Sequence, residues 1–144
     1  MEKDFTLFID YTQGANINAQ NMLAHCMQEI SPYPGLALQM SKNDSNMGVD
    51  GLAIRPSIPS SQGTHNKIVL RFNTQTKREE LYVNSMSNTY GGTYSIVTFD
   101  KNLYLGCYVD ESGNKGRYWN GTIHDCKVWY SALSDEEIEV LLEN

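Results

Sequence analysis

Along most of this chain hydrophobic and polar positions alternate with a period of two, the pattern of a strand with one buried face. In DFTLFIDYT, Phe5, Leu7, Ile9 and Tyr11 fall on one side, with Thr6 and Asp10 opposite. In GLALQMS, Leu36, Leu38 and Met40 alternate with Ala37, Gln39 and Ser41. NKIVLRFN sets Ile68, Leu70 and Phe72 against Lys67, Arg71 and Asn73. KNLYLGCYVD sets Leu103, Leu105, Cys107 and Val109 against Tyr104, Gly106 and Tyr108. Weaker candidates cover 21–28, 50–55, 79–84 and 93–99, and a last strand spans 121–130. Roughly nine short strands separated by turn signals predict an all-β sandwich or barrel. One buried and one wetter face per strand predicts antiparallel sheets.

The connections KNDSNMG (42–48), PSIPSSQGTHN (56–66), NSMSNTYGG (84–92) and DESGNKG (110–116) are rich in turn formers. The Pro/Ser-rich loop at 56–66 is the segment expected to move most. The chain then changes period and ends in a short helix. Ser134 and Glu137 form a capping box, and Leu133 and Ile138 occupy the two positions of a hydrophobic staple. Asp135, Glu136 and Glu137 place negative charge at the positive end of the helix dipole. Ile138, Leu141 and Leu142 make one apolar stripe. A helix this short is unstable alone in water, so it must dock on the sheets.

Composition narrows the function more than the fold. At 144 residues the chain is expected to be a single domain, 1–144. A net charge of −6, with Lys77-Arg78 followed at once by Glu79-Glu80, argues against nucleic acid and against an anionic membrane surface. No stretch approaches the ~20 apolar residues of a transmembrane helix. The opening MEKDFTLFIDY reads as a strand and not as a signal peptide. Cys26, Cys107 and Cys126 contain no CxxC pair, so neither a zinc site nor a disulfide framework is predicted from them.

The C-terminal third, NLYLGCYVDESGNKGRYWNGTIHDCKVWYSALSDEEIEVLL, resembles the concanavalin A-like, laminin-G-like jelly-roll family. The elements that carry the likeness are Leu103 to Gly106, the aromatic-x-Gly-x-Ile run Trp119 to Ile123, Trp129-Tyr130, and Ala132 to Ile138. FTLFI at 5–9 and LYVN at 81–84 resemble two further strands of that family. Three positions depart from its pattern. Asp10-Tyr11 follow the first strand, and His65-Asn66 precede the strand beginning at Lys67, where the family commonly carries tryptophans. Asn84-Ser85 replaces its usual Asp-Gly. The resemblance implies an antiparallel two-sheet jelly-roll sandwich with one C-terminal helix. Because it begins almost at Met1, it also points to a domain excised from a longer protein or to a trimmed version of the fold.

Related sandwiches include glycoside hydrolases whose paired carboxylates lie on one strand, spaced so that period two aims both into a cleft. That motif is missing here: the acidic clusters are Glu79-Glu80 and the helix cap Asp135 to Glu137. His25, His65 and His124 are scattered singly with no nucleophile elbow, and His124 reads as a hydrogen-bonded strand residue. Catalytic residues are therefore predicted to be none. Asp110-Glu111-Ser112-Gly113-Asn114 and Asn43-Asp44-Ser45-Asn46 offer oxygen ligands without the distal glutamate of an EF-hand. Calcium at Asp110 and Asn114 is the one cofactor worth testing; none is predicted.

Sugar recognition needs aromatic faces flanked by Asp, Asn or Gln. Tyr104, Tyr108, Asp110, Asn114 and Tyr118 are the ligand-site candidates, with Tyr90 and Tyr94 near another loop. Trp119 is expected in the core. The function expected is a non-enzymatic carbohydrate- or receptor-binding module of a larger cell-surface or phage virion protein. The alternative is a structural interaction domain that packs on neighbouring domains or on copies of itself, with a glycoside hydrolase a distant third.

Overall fold

The computed structural model describes residues 4–14, 21–27, 35–40, 46–50, 57–59, 65–93 and 102–143. In chain order the strands are β1 (Phe5–Gln13), β2 (Asn21–Met27), β3 (Gly35–Met40), β4 (Asn46–Asp50), β5 (Ser57–Pro59) and β6 (His65–Asn73). There follow β7 (Arg78–Val83), β8 (Ser85–Thr93), β9 (Tyr104–Leu105), β10 (Tyr108–Val109), β11 (Lys115–Gly116) and β12 (Gly121–Trp129). The helix α1 spans Asp135–Glu143. One five-stranded sheet runs β12-β1-β6-β7-β8 and a second runs β5-β4-β3-β2-β9, with β10 and β11 as a separate ribbon. Every pairing is antiparallel. This is the expected jelly-roll sandwich.

The alternation read from the sequence sorts the two faces of the first sheet. Phe5, Leu7, Ile9 and Tyr11 pack with Ile68, Leu70, Phe72, Leu81 and Val83 against Leu23, Ala24 and Leu38 of the second sheet. The residues between them face outward. Phe8, Val69 and Tyr82 form a second cluster with Leu133, Ile138 and Leu142, so α1 covers part of the outer face. Its start has the predicted caps: Glu137 N donates to Ser134 Oγ at 3.2 Å and Ser134 N donates to Glu137 Oε1 at 3.3 Å. Leu133 and Ile138 are both buried, as a staple requires.

Arg71 holds this helix down. Its Nε donates to Glu80 at 2.7 Å and its Nη1 donates to the Leu133 carbonyl and to Asp135, each at 2.8 Å. Its Nη2 bonds Tyr82 Oη at 2.9 Å and also reaches Glu80. Burial of the guanidinium opposes its charge, but the bonds to Glu80 and Asp135 prevail and its pKa stands above the ordinary arginine value. Burial likewise pushes the Tyr82 phenol up to about 12. Thr6, fully buried, closes the same corner by donating to the Ser131 carbonyl at 2.7 Å and accepting from Leu133 N at 3.1 Å.

Three expectations are corrected. NSMSNTYGG was expected to connect strands, yet Ser85–Thr93 is strand β8 at the edge of the first sheet. Its polar side chains serve that edge: Thr89 Oγ1 donates to the Leu81 carbonyl at 2.9 Å and Asn88 Nδ2 donates to the Val83 carbonyl at 3.0 Å. Residues 46–48 and 57–59, read as turns, lie in β4 and β5. The single strand expected over 101–110 is two short ones, β9 and β10. Gly106 between them has φ +78°, a left-handed value that interrupts the strand. Leu105, on the edge strand of the second sheet, is 40% exposed. The expected strand at 93–99 and the Asp44 and Tyr94 loops fall largely or wholly outside the described residues.

Candidate functional site

The five ligand-site candidates fall on two elements, the edge strand β9 and the β10–β11 hairpin with the residue pair that follows it. Tyr104 lies in β9 at the edge of the second sheet, paired with His25 of β2. Tyr108, Asp110 and Asn114 belong to the β10–β11 hairpin, where Tyr108 pairs with Gly116. Tyr118 follows the hairpin and is 64% exposed. The Arg117 guanidinium carbon lies 4.8 Å from the centre of the Tyr108 ring, a cation–π contact that fixes a flat aromatic beside a positive charge. Sequence reasoning passed over Arg117. Its position beside Tyr118 was the available signal.

Asp110 is occupied by the hairpin itself. Its Oδ1 accepts from Asn114 N at 2.8 Å and from Ser112 N at 2.9 Å, while Oδ2 accepts from Asn114 Nδ2 at 3.0 Å. Bonds from Asn114 and then from the neighbouring backbone hold its carboxyl below the ordinary range. Gly113 takes φ +84° to close the turn. The loop thus presents a rigid, negatively charged tip with the Asn114 amide already committed to it. A calcium ion here would have to compete with these bonds.

Trp119 is not a ligand platform. Its ring packs edge-on against buried Tyr11, centroids 5.4 Å apart, and against the core. Gly121, the glycine of the aromatic-x-Gly-x-Ile run, has φ +150°, and a Cβ there would lie 2.0 Å from the Thr12 carbonyl oxygen. The run is therefore a device for seating a tryptophan against β1, and its glycine is required by close backbone approach.

The acidic pair Glu79-Glu80 is split by its strand. Glu80 faces outward onto Arg71, whereas Glu79 is 1% exposed, with Oε1 unpartnered among the described residues. Burial pushes the Glu79 carboxyl up to about 9. The two carboxylates stand on opposite faces of β7 and cannot act on one bond.

A second constellation lies on the outer face of the first sheet, beyond the reach of α1. Asp10 of β1, His65 of β6 and His124 of β12 each offer a ligand atom, all within 4.8 Å of one another. His65 Nε2 contacts Asp10 Oδ1, the His65 and His124 rings stand 5.0 Å apart, and His124 Nε2 is 2.7 Å from Thr12 Oγ1. Sequence reasoning had His124 correctly as a hydrogen-bonded strand residue but did not join it to His65. The signal was present in the departures from the family pattern, since Asp10 and His65 stand at or beside two of them.

The antiparallel two-sheet sandwich with a capped terminal helix defines a jelly-roll domain of the concanavalin A-like class. The sequence matches the model of the concanavalin A-like lectin/glucanases superfamily over residues 8–139, and the chain belongs to that family. No curated protein sequence matches at a significant level. Among solved structures the chain is similar to the carbohydrate-binding module (CBM40) of the Ruminococcus gnavus IT-sialidase bound to α2,3 sialyllactose. That similarity has a TM-score of 0.77 at 17% identity, over 97% of this chain and 83% of that one. It is also similar to a native heptameric SAP-like pentraxin from Limulus polyphemus, with TM-score 0.71 at 15% identity, over 97% and 70%. A third similarity is to the leech intramolecular trans-sialidase, with TM-score 0.73 at 19% identity, over 98% of this chain but 23% of the enzyme. At these identities the likeness is one of fold.

Proposed function

We propose that this chain is a non-catalytic carbohydrate-binding module carried by a larger cell-surface or virion protein. The observation that supports it most is the scale of the likeness. Almost the whole chain corresponds to most of a sialyllactose-binding module, yet to under a quarter of a complete trans-sialidase. The separation of Glu79 from Glu80 and the use of Asp135 and Glu137 at the helix start also favour binding over hydrolysis.

In this reading the exposed Tyr118 and the Tyr108–Arg117 stack are the recognition elements, with Tyr104 nearby in sequence but on the edge of the second sheet. An aromatic face stacks on the apolar face of a sugar ring, and the guanidinium can pair with a carboxylate in a bidentate way. That combination suits an acidic glycan. A glycan array followed by titration with α2,3 and α2,6 sialyllactose tests it. Binding that falls at least tenfold in Tyr118→Ala and Arg117→Ala is expected, and flat responses to all sugars, with and without calcium, would overturn the reading.

Similarity to a heptameric pentraxin favours a second reading, a domain that assembles through contacts with its own copies. Sedimentation over a range of concentrations separates the two: a stable assembly with no glycan response supports the second.

A further inference from the structure

We propose that Asp10, His65 and His124 form a binding site for a divalent transition-metal ion of the zinc class, on the open half of the outer face of the first sheet. Three adjacent strands contribute one ligand each, in the order β12-β1-β6. The register alone does not bring them together. Thr12 of β1 pairs with His65 of β6 and with Thr122 of β12, whereas Asp10 pairs with Lys67 and Asp125. Between Asp10 and Tyr11 the register against β12 shifts, so His124 is left over between Asp125 and Ile123. That bulge decides the site. In an unbroken ladder His124 would pair with Tyr11 and face the core. With the extra residue, Ile123 packs on the core while His124 meets Thr12 and His65 on the outer face. Bulges re-aim side chains in this way.

The donor set specifies the class of ion. Two imidazoles and one carboxylate suit zinc, cobalt, nickel or copper, and calcium prefers six to eight oxygens. Around zinc, with ligands about 2.0–2.2 Å from the metal, donor atoms stand roughly 3.3 Å apart. The observed spread of up to 4.8 Å closes by small rotations of the two exposed histidine side chains. His65 Nε2 and Asp10 Oδ1 already contact each other, so two of the donors are in place. Thr12 holds the His124 ring in place, as outer-shell partners do for ligating histidines. Three protein ligands leave a position toward solvent for water or for a donor from another molecule.

The test uses tag-free protein with zinc and cobalt. One equivalent of zinc by calorimetry and a visible cobalt absorption band are expected from the native chain. Both should weaken at least tenfold in His65→Gln with His124→Gln and in Asp10→Asn, with unchanged far-UV dichroism. Imidazole NMR signals of His65 and His124, and not of His25, should move on adding zinc. The proposal is overturned if the native protein shows neither heat nor absorption at millimolar metal. It is equally overturned if the double variant binds as the native chain does, or if His25 alone responds.

Discussion

One sheet face carries two surfaces of opposite character, and strand β1 runs through both. At its start, Thr6 and Phe8 point into the covered half, where α1, Leu133 and Arg71 leave each polar atom a partner. Four residues further on, Asp10 and Thr12 point into the open half, beside two exposed histidines on neighbouring strands. In the covered half polar groups are consumed by structure. In the open half they converge on one another with water on the far side. The contrast teaches that identical strand alternation supplies either a docking face or a ligand face, depending on whether another element arrives to cover it.

The comparison can be broken most severely from the covered side. Ile138→Ala removes a fully buried anchor of α1, and a loss of about 3 kcal/mol in denaturant unfolding is expected. A variant within a few tenths of the native stability would show that the helix is not needed to cover the sheet. Arg71→Met keeps the stem but strands Glu80 and the Leu133 carbonyl, at a cost of about 2–3 kcal/mol. Its thermal melt should also lose part of its salt dependence.

The inner face of the same sheet provides a third case, a buried carboxyl whose Oε1 has no partner among the described residues. Glu79 keeps its proton up to about pH 9, while in the unfolded chain it loses it near the ordinary 4.5. Below the lower value both states are protonated. Across the window between the two values only the folded state is, so stability falls as pH rises. Glu79→Gln should flatten that slope and raise Tm at pH 8 by several degrees, with little change at pH 4. An identical pH profile in variant and native protein would refute the buried, neutral carboxyl. Ser134→Ala, which removes one half of the capping box, should cost about 1 kcal/mol. Smallest of all, His65→Gln with His124→Gln should shift stability by less than about 0.5 kcal/mol, because both side chains are exposed. A large loss there would mean that the open half is held together as structure.

The legible parts of the sequence were those whose signal is local. Alternation in FTLFIDY and KIVLRF identified the inner face residue by residue, and Ser134, Glu137, Leu133 and Ile138 announced the helix start and its docking. The failures share one cause. NSMSNTYGG has no apolar face, so only pairing with β7 makes it a strand. Leu105 sits in a good alternating run, yet β9 is the edge strand of its sheet and leaves it 40% exposed.

By itself the sequence determined an antiparallel sandwich closed by a capped helix, because period, turn chemistry and capping act over a few residues. Tertiary structure alone decided which half of the outer face stays open, and that Asp10, His65 and His124 meet there. Those residues lie more than fifty positions apart in the chain, and a one-residue bulge in β12 chooses the side on which His124 emerges. Such a shift costs nothing that a sequence pattern records, since the side-chain period is two and a slip of one exchanges the faces.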